Sequence, residues 1–183
     1  MFDPLNTDPD LIDIVDIAHA LNMLCRANGH FRSFHFVGQH IINCMREAKA
    51  RGYSEKVQLA CLLHDASEVY LSDVIRPVKK ELSKYLEIEK PLQDAIWAKY
   101  LDEPLTQEEY DRVFEIDDAI LYHEFVALMD ARLSDEEPAL GSMPVFEFTG
   151  FEQCEEEFLQ LFGGLTDRSS VPMSRQSGRS ACG

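Results

Sequence analysis

Leu59-Ala-Cys-Leu-Leu-His64-Asp65-Ala-Ser-Glu68-Val-Tyr-Leu-Ser-Asp73 decides how this chain is read, because an apolar helical run ends there in a histidine, two aspartates and a glutamate. Val57, Ala60, Cys61, Leu62 and Leu63 predict a core helix that Ser54 caps and that runs on into the acidic cluster. On one helix His64 and Asp65 stand about 100° apart, so both reach one ion from the same turn, and Glu68, four residues after His64, shares their face. The competing reading is a helix end with acidic caps and a solvated histidine. The rest of the chain has to choose between them.

Upstream, Asp8-Pro9 is an N-cap and N1 pair that predicts a helix to about Arg26, with Leu11, Val15, Ala18, Leu21 and Cys25 on its core face. Asn28-Gly29 breaks it, leaving Arg26 near the helix end, where the dipole favours a cation. Residues 30–40 lead into a second helix carrying Val37, Ile41, Cys44, Met45 and Ala48, closed by Arg51-Gly52. Downstream, Pro77 ends whatever follows Asp73. Residues 79–102 read as helical with a break near Pro91. Thr106-Gln-Glu-Glu109 is a capping box that opens a long helix to about Leu133. Residues 145–148 read as one short extended piece and 151–162 as a last helix. From Asp167 the Ser- and Arg-rich sequence has no apolar period and predicts a disordered tail. The sum is an all-α fold, a single helical bundle of six or seven helices over residues 1–166.

A chain of 183 residues with 45% hydrophobic content can bury a core without staples. Its five cysteines include no C-x-x-C pair and read as thiols of a reducing cytosol. The acidic start has neither a basic n-region nor a long apolar run, so the expected location is cytoplasmic. A net charge of −16 argues against a nucleic-acid polymer or an anionic membrane as partner. It would also repel a small phosphate ester at long range, so any phosphate site must be local, made by an ion and a few cations.

Metal-assisted hydrolysis needs N and O ligands from several elements, an open position for water and carboxylates that manage protons. His40 lies on a mostly apolar helix face, which for an isolated histidine is equally a core position. Asp117 has Val113, Phe114, Ile120 and Leu121 around it, so its carboxylate would be buried and would need a cation or donors. Asp118 looks nearer the surface and is the alternative ligand. Glu124, two turns on, sits among Ile120, Leu121, Ala127 and Leu128 and suits a supporting role or an arginine partner. His19, His30, His35 and His123 have no pairing spacing. Nucleophile-elbow, P-loop and dinucleotide motifs are missing from the sequence.

With His40, His64-Asp65 and Asp117 in that order on predicted helices, the chain resembles the HD-domain metal-dependent phosphohydrolases, and within them the bacterial 5′-nucleotidases and their phage-associated relatives. The resemblance covers roughly residues 10–130 and rests on Val37-Gly-Gln-His40, Leu62-Leu-His64-Asp65-Ala-Ser-Glu68-Val-Tyr-Leu-Ser-Asp73, Pro77-Val-Lys79 and Ile116-Asp117-Asp118-Ala119. It implies an all-α fold and one divalent metal ion held by His40, His64, Asp65 and Asp117. It implies Glu68 as the group that orients or deprotonates the attacking water, Asp73 as support for the substrate pocket and Arg26 as a phosphate contact. His35 stands where relatives more often have an aromatic or apolar residue, and the doubled Asp117-Asp118 leaves the last ligand open by one position.

The expected reaction is hydrolysis of a phosphomonoester, a nucleoside 5′-monophosphate, with Arg26 and Lys79 steadying the phosphate oxygens and Glu68 accepting the water proton. The ion could be Mn, Fe, Co, Ni, Zn or Mg. Two rivals are a di- or triphosphate or alarmone-type hydrolase, which would need more cations, and a metal- or nucleotide-binding regulatory module without catalysis. A spare amphipathic helix at 151–162 could serve a homodimer.

Overall fold

The computed structural model describes residues 2–166; the expected disordered tail at 167–183 lies outside the described residues. In chain order come a 3-10 turn at Pro9–Leu11, α1 (Ile14–Leu21), a second 3-10 turn at Arg26–Gly29, α2 (Val37–Ala50), α3 (Glu55–Leu63), the four-residue helices α4 (Glu68–Leu71) and α5 (Arg76–Lys79), then α6 (Ser83–Tyr100), α7 (Gln107–Met129) and α8 (Phe151–Thr166). The fold is all-α. Among the described residues there is no strand, only one antiparallel bridge between Cys25 and Phe36. None of the described helices is long and apolar enough to cross a membrane.

The pair α2 and α3 is the centre of the molecule: α7 and α8 each pack on both, and α1 packs on α2 and α8. Gly52 makes the reversal between α2 and α3: its φ of 73° suits glycine, and Tyr53 N–H closes the end of α2 onto Ala48 O at 3.0 Å. Ile41, Cys44 and Ala48 of α2 and Val57, Ala60, Cys61, Leu62 and Leu63 of α3 all belong to the buried core. Each large apolar side chain so buried contributes about 1.5–3 kcal/mol.

A second face of α2 is polar and equally buried. Gln39, Asn43 and Glu47, at four-residue steps, hold the chain between α7 and α8. Gln39 Nε2 donates to Glu147 O at 2.7 Å; Asn43 exchanges two bonds with the Val145 backbone at 2.9 and 3.0 Å. Glu47 accepts from the Gly141 and Ser142 backbone and from Arg51 Nε. The stretch 145–148, expected as a short extended piece, forms no strand, and side-chain amides of α2 take its backbone bonds where a neighbouring strand would have done so.

Other boundaries also differ from the pattern. The helix predicted from Asp8 to Arg26 is divided, because Asp13 supplies a second N-cap, accepting from Val15 N at 2.8 Å, while Ile12 turns into the core with extended backbone. Leu11 is exposed as a result. The α3 helix stops at Leu63 rather than running through the acidic cluster, and His64 is its C-cap. No break occurs at Pro91. Its ring lies on the exposed side of α6, so the missing bond faces water while Leu92, Ile96 and Trp97 on the other side are buried. The capping box of α7 forms as expected, but the helix ends at Met129 because Asp130 takes a left-handed conformation. Nor is α8 spare: Cys154, Phe158 and Phe162 bury its apolar face against α1, α2 and α3.

Candidate metal centre

Three elements converge on one point. His40 comes from the second turn of α2, His64 and Asp65 from the turn after α3, and Asp117 from the middle of α7. His40 Nε2 lies 3.1 Å from Asp117 Oδ1 and 3.8 Å from Asp65 Oδ2; His64 Nε2 lies 3.7 Å and 3.5 Å from the same two oxygens. An ion with bonds of about 2.1 Å sets its ligands roughly 3.0 Å apart in an octahedron and 3.4 Å in a tetrahedron. The four nitrogen–oxygen separations, 3.1–3.8 Å, begin in that range and extend slightly beyond it. Cys44, one turn after His40, brings its sulfur to 3.5 Å from His40 Nε2, and His40, Cys44 and His64 form a buried group able to hold a metal ion.

Both imidazoles are oriented from behind. His64 Nδ1 lies 2.7 Å from Cys61 O and must donate to it, which leaves Nε2 as an acceptor, buried and without a hydrogen-bond partner. His40 Nδ1 lies 2.8 Å from Glu124 Oε1, fixing the same tautomer. His64 Nε2 is thus an orphaned, buried imidazole nitrogen 3.5 and 3.7 Å from two carboxylate oxygens.

Glu124 is fully buried and serves three residues: His40, His35 Nε2 at 3.0 Å, and Arg26 Nε at 3.2 Å. Burial pushes its carboxyl up, but Arg26 and His40 beside it hold it well below the usual range. The loop before α2 brings Arg26 and His35 together. Arg26 N–H bonds His35 O at 2.9 Å, and Ala27, Asn28 and Gly29 reverse the chain with three consecutive positive φ values. Two of those are not glycine, a strain of about 1–2 kcal/mol each that fixes Arg26 inward. Arg26 thus sits in a 3-10 turn rather than at the end of a long helix; it also reaches Asp65 Oδ2 through Nη1 at 3.3 Å. Gln93 of α6 holds the turn carrying His64 and Asp65, donating to Leu63 O at 2.8 Å and accepting from Ser67 N at 3.1 Å.

The two adjacent aspartates of α7 separate cleanly. Asp117 turns Oδ1 to the histidines, and its carboxyl, though burial opposes ionisation, is held well below the usual range by His40 and His64. Asp118 is exposed and bonds Arg76, whose other terminal nitrogen donates to Asp117 Oδ2 at 2.7 Å.

Glu68, on α4, is 3% exposed; Oε1 accepts from Lys79 Nζ at 3.3 Å and Oε2 has no partner. Burial, with Asp65 and Asp73 nearby, raises its carboxyl well above the usual range. Lys79 is shared with Glu89. Asp73 is partly buried, with burial raising its carboxyl and Arg26 opposing the shift. The structure therefore brings His40, His64, Asp65 and Asp117 to one point, with Arg26 on Asp65 and the Glu68–Lys79 pair beside them. Cys44, His35, Gln93 and Arg76 were not read from sequence as parts of this arrangement. Only Cys44 carried a local signal, standing one helical turn from His40.

No protein-family model matches this chain. It is 32% identical over 99 residues to the uncharacterized protein YfdR of Escherichia coli (strain K12), covering 54% of this chain and 52% of that protein. It is 38% identical over 104 residues to an uncharacterized protein of Rhodobacter capsulatus, covering 54% of this chain and 53% of that one. The chain thus spans about half the length of the curated relatives it matches.

Proposed function

We propose that this chain is a metal-dependent phosphohydrolase of the HD type that converts small phosphomonoesters, nucleoside 5′-monophosphates above all, to the alcohol and inorganic phosphate. The observation that carries the reading is the convergence of His40 Nε2, His64 Nε2, Asp65 Oδ2 and Asp117 Oδ1 at 3.1–3.8 Å, beside a buried Glu68 oxygen that has no partner. A divalent ion bound there would supply Lewis acidity and lower the pKa of a water.

The chain's own residues do the rest. His40, His64, Asp65 and Asp117 would hold the ion, the two imidazoles being oriented by Glu124 and the Cys61 carbonyl. Glu68 receives the proton of the attacking water at Oε2, while Lys79 keeps its other oxygen turned aside. Arg26 and Lys79 present positive charge to the phosphate oxygens, and Asp73 borders the leaving group's pocket. Few cations stand near the centre, and the net charge of −16 disfavours polyanions, so the monophosphate is preferred over di- and triphosphates.

Phosphate release measured across nucleoside mono-, di- and triphosphates with each of Mn, Co, Ni, Zn, Fe and Mg tests the reading. Turnover should be highest on a monophosphate. Glu68→Ala should lose at least 100-fold in kcat with metal content unchanged, whereas Asp65→Ala should lose the metal. A metal-loaded protein that releases phosphate from none of these substrates would sink the proposal. Cys44 supports a second reading, in which His40, Cys44 and His64 hold a soft ion without catalysis. Cys44→Ser should leave metal content intact on the first reading and abolish it on the second.

A further inference from the structure

We propose that Arg76 is a positioning residue of this centre: it holds Asp117 to ligation through a single oxygen, and Asp118 serves to aim it. The inference rests on the reading of the centre as a metal site and adds a residue to it.

Arg76 is the first residue of the four-residue helix α5 and reaches α7 with a forked grip. Nη2 donates to Asp117 Oδ2 at 2.7 Å, and Nη1 donates to Asp118 Oδ1. An ordinary surface pair would join two solvated groups and do little. Here one partner, Asp117, has a side chain only 11% exposed, and its other oxygen faces His40 and His64. The planar guanidinium engages both carboxylates at once, so its position is fixed by two bonds rather than one.

The consequence is geometric. A carboxylate can bind an ion through one oxygen or both. With Oδ2 tied to Arg76, only Oδ1 is free to turn inward. Four single-atom ligands leave room for water and for a substrate oxygen, whereas a two-oxygen Asp117 would add a fifth protein atom to the shell and crowd that room. This also accounts for the doubled Asp117-Asp118. The second aspartate is no alternative ligand: its exposed carboxylate steers the guanidinium that steers the first.

The test is Co(II) binding to the full chain, followed by calorimetry and by the visible ligand-field spectrum, for wild type, Arg76→Ala, Arg76→Lys and Asp118→Asn. A two-oxygen Asp117 raises the coordination number and weakens the visible absorption. Arg76→Ala should show that weakening and bind Co(II) about 10-fold or more less tightly. Arg76→Lys, which keeps the charge but not the fork, should fall between it and wild type. Asp118→Asn should shift both readouts in the same direction by less, and should add nothing in the Arg76→Ala background. Unchanged melting temperatures check that the fold is intact, since Arg76 is nearly half exposed. If wild type binds Co(II) and Arg76→Ala gives the same spectrum and affinity, or binds more tightly, the role of Arg76 is overturned while the centre stands. If wild type binds no divalent ion, the centre itself fails and this role with it.

Discussion

Replacing Glu124 by glutamine changes one atom in a side chain that is 0% exposed, and the arrangement around it sets the size of the effect. Three groups lean on that carboxylate: Arg26, His35 and His40, at 3.2, 3.0 and 2.8 Å. The amide keeps the shape and one acceptor, but Arg26, itself 8% exposed, is left with Asp65 as its remaining charged partner. Removing one member of a buried ion pair costs about 3–5 kcal/mol, and the retained acceptor puts this case near 3. For a chain of this length that corresponds to a fall of about 6–12 °C in melting temperature. Adding Arg26→Met should cost less than the sum of the two single changes by about 1–3 kcal/mol, because each single change strands the other's charge. Thermal denaturation followed by circular dichroism on the four proteins measures the cycle. Glu124→Gln melting within 1 °C of wild type, or strictly additive losses, would refute the reasoning. A separate arm is metal binding, which should weaken about 10- to 100-fold as His40 loses the partner that fixes its tautomer.

Gly38→Ala should destabilise the fold by about 1–3 kcal/mol in urea denaturation. The new methyl would stand 2.3 Å from Oδ1 of the fully buried Asn22, whose amide is tied to Ala18 O at 2.7 Å and has no room to retreat; an unchanged midpoint would contradict this. Glu47→Gln should destabilise in a pH-dependent way. Burial raises the Glu47 carboxyl, but the bonds from Gly141, Ser142 and Arg51 outweigh it and lower the pKa below its ordinary 4.5. A group depressed in the folded state gives stability that is complete above the unfolded value and is lost as pH falls through the folded one. The gap between wild type and Glu47→Gln, from urea titrations, should therefore be constant from neutral pH to about pH 5 and narrow below about 4.5. A gap that widens on acidification would reverse the sign and remove the explanation.

Periodicity made the all-α class legible where a helix buries one face, as α1 does with Ile17, Ala18 and Leu21 and α8 with Cys154, Phe158 and Phe162, whereas α2 and α3 at the centre are buried on nearly every side. Where pattern and structure part, a competing local interaction decides. Asp8 caps its turn as expected, but Asp13 caps again five residues on and divides the helix, and Pro91 is tolerated because its side of α6 is solvated. In the centre, His64-Asp65 and the buried setting of Asp117 could be read from neighbours on one helix. His35 and Gln93 could not, since each acts through partners 89 and 26–30 residues away and neither belongs to a local motif. Nor could Arg76, whose fork across Asp117 and Asp118 exists only once its side chain reaches α7, 41 and 42 residues on.

The stripe Gln39, Asn43 and Glu47 has a consequence for how this chain can change length. Its bonds reach residues 141–149, so the backbone there is dictated by one helix and cannot drift without unseating three buried polar groups. The stretch just before it, residues 131–137, is largely exposed and touches none of the three. Insertions should accumulate in that earlier stretch, and a fusion partner or affinity tag placed there would leave the helix that carries His40 undisturbed. The same spacing of amide, amide and carboxylate at every fourth position is portable: set on another scaffold's helix, it specifies the docking of an irregular segment without a strand to pair it.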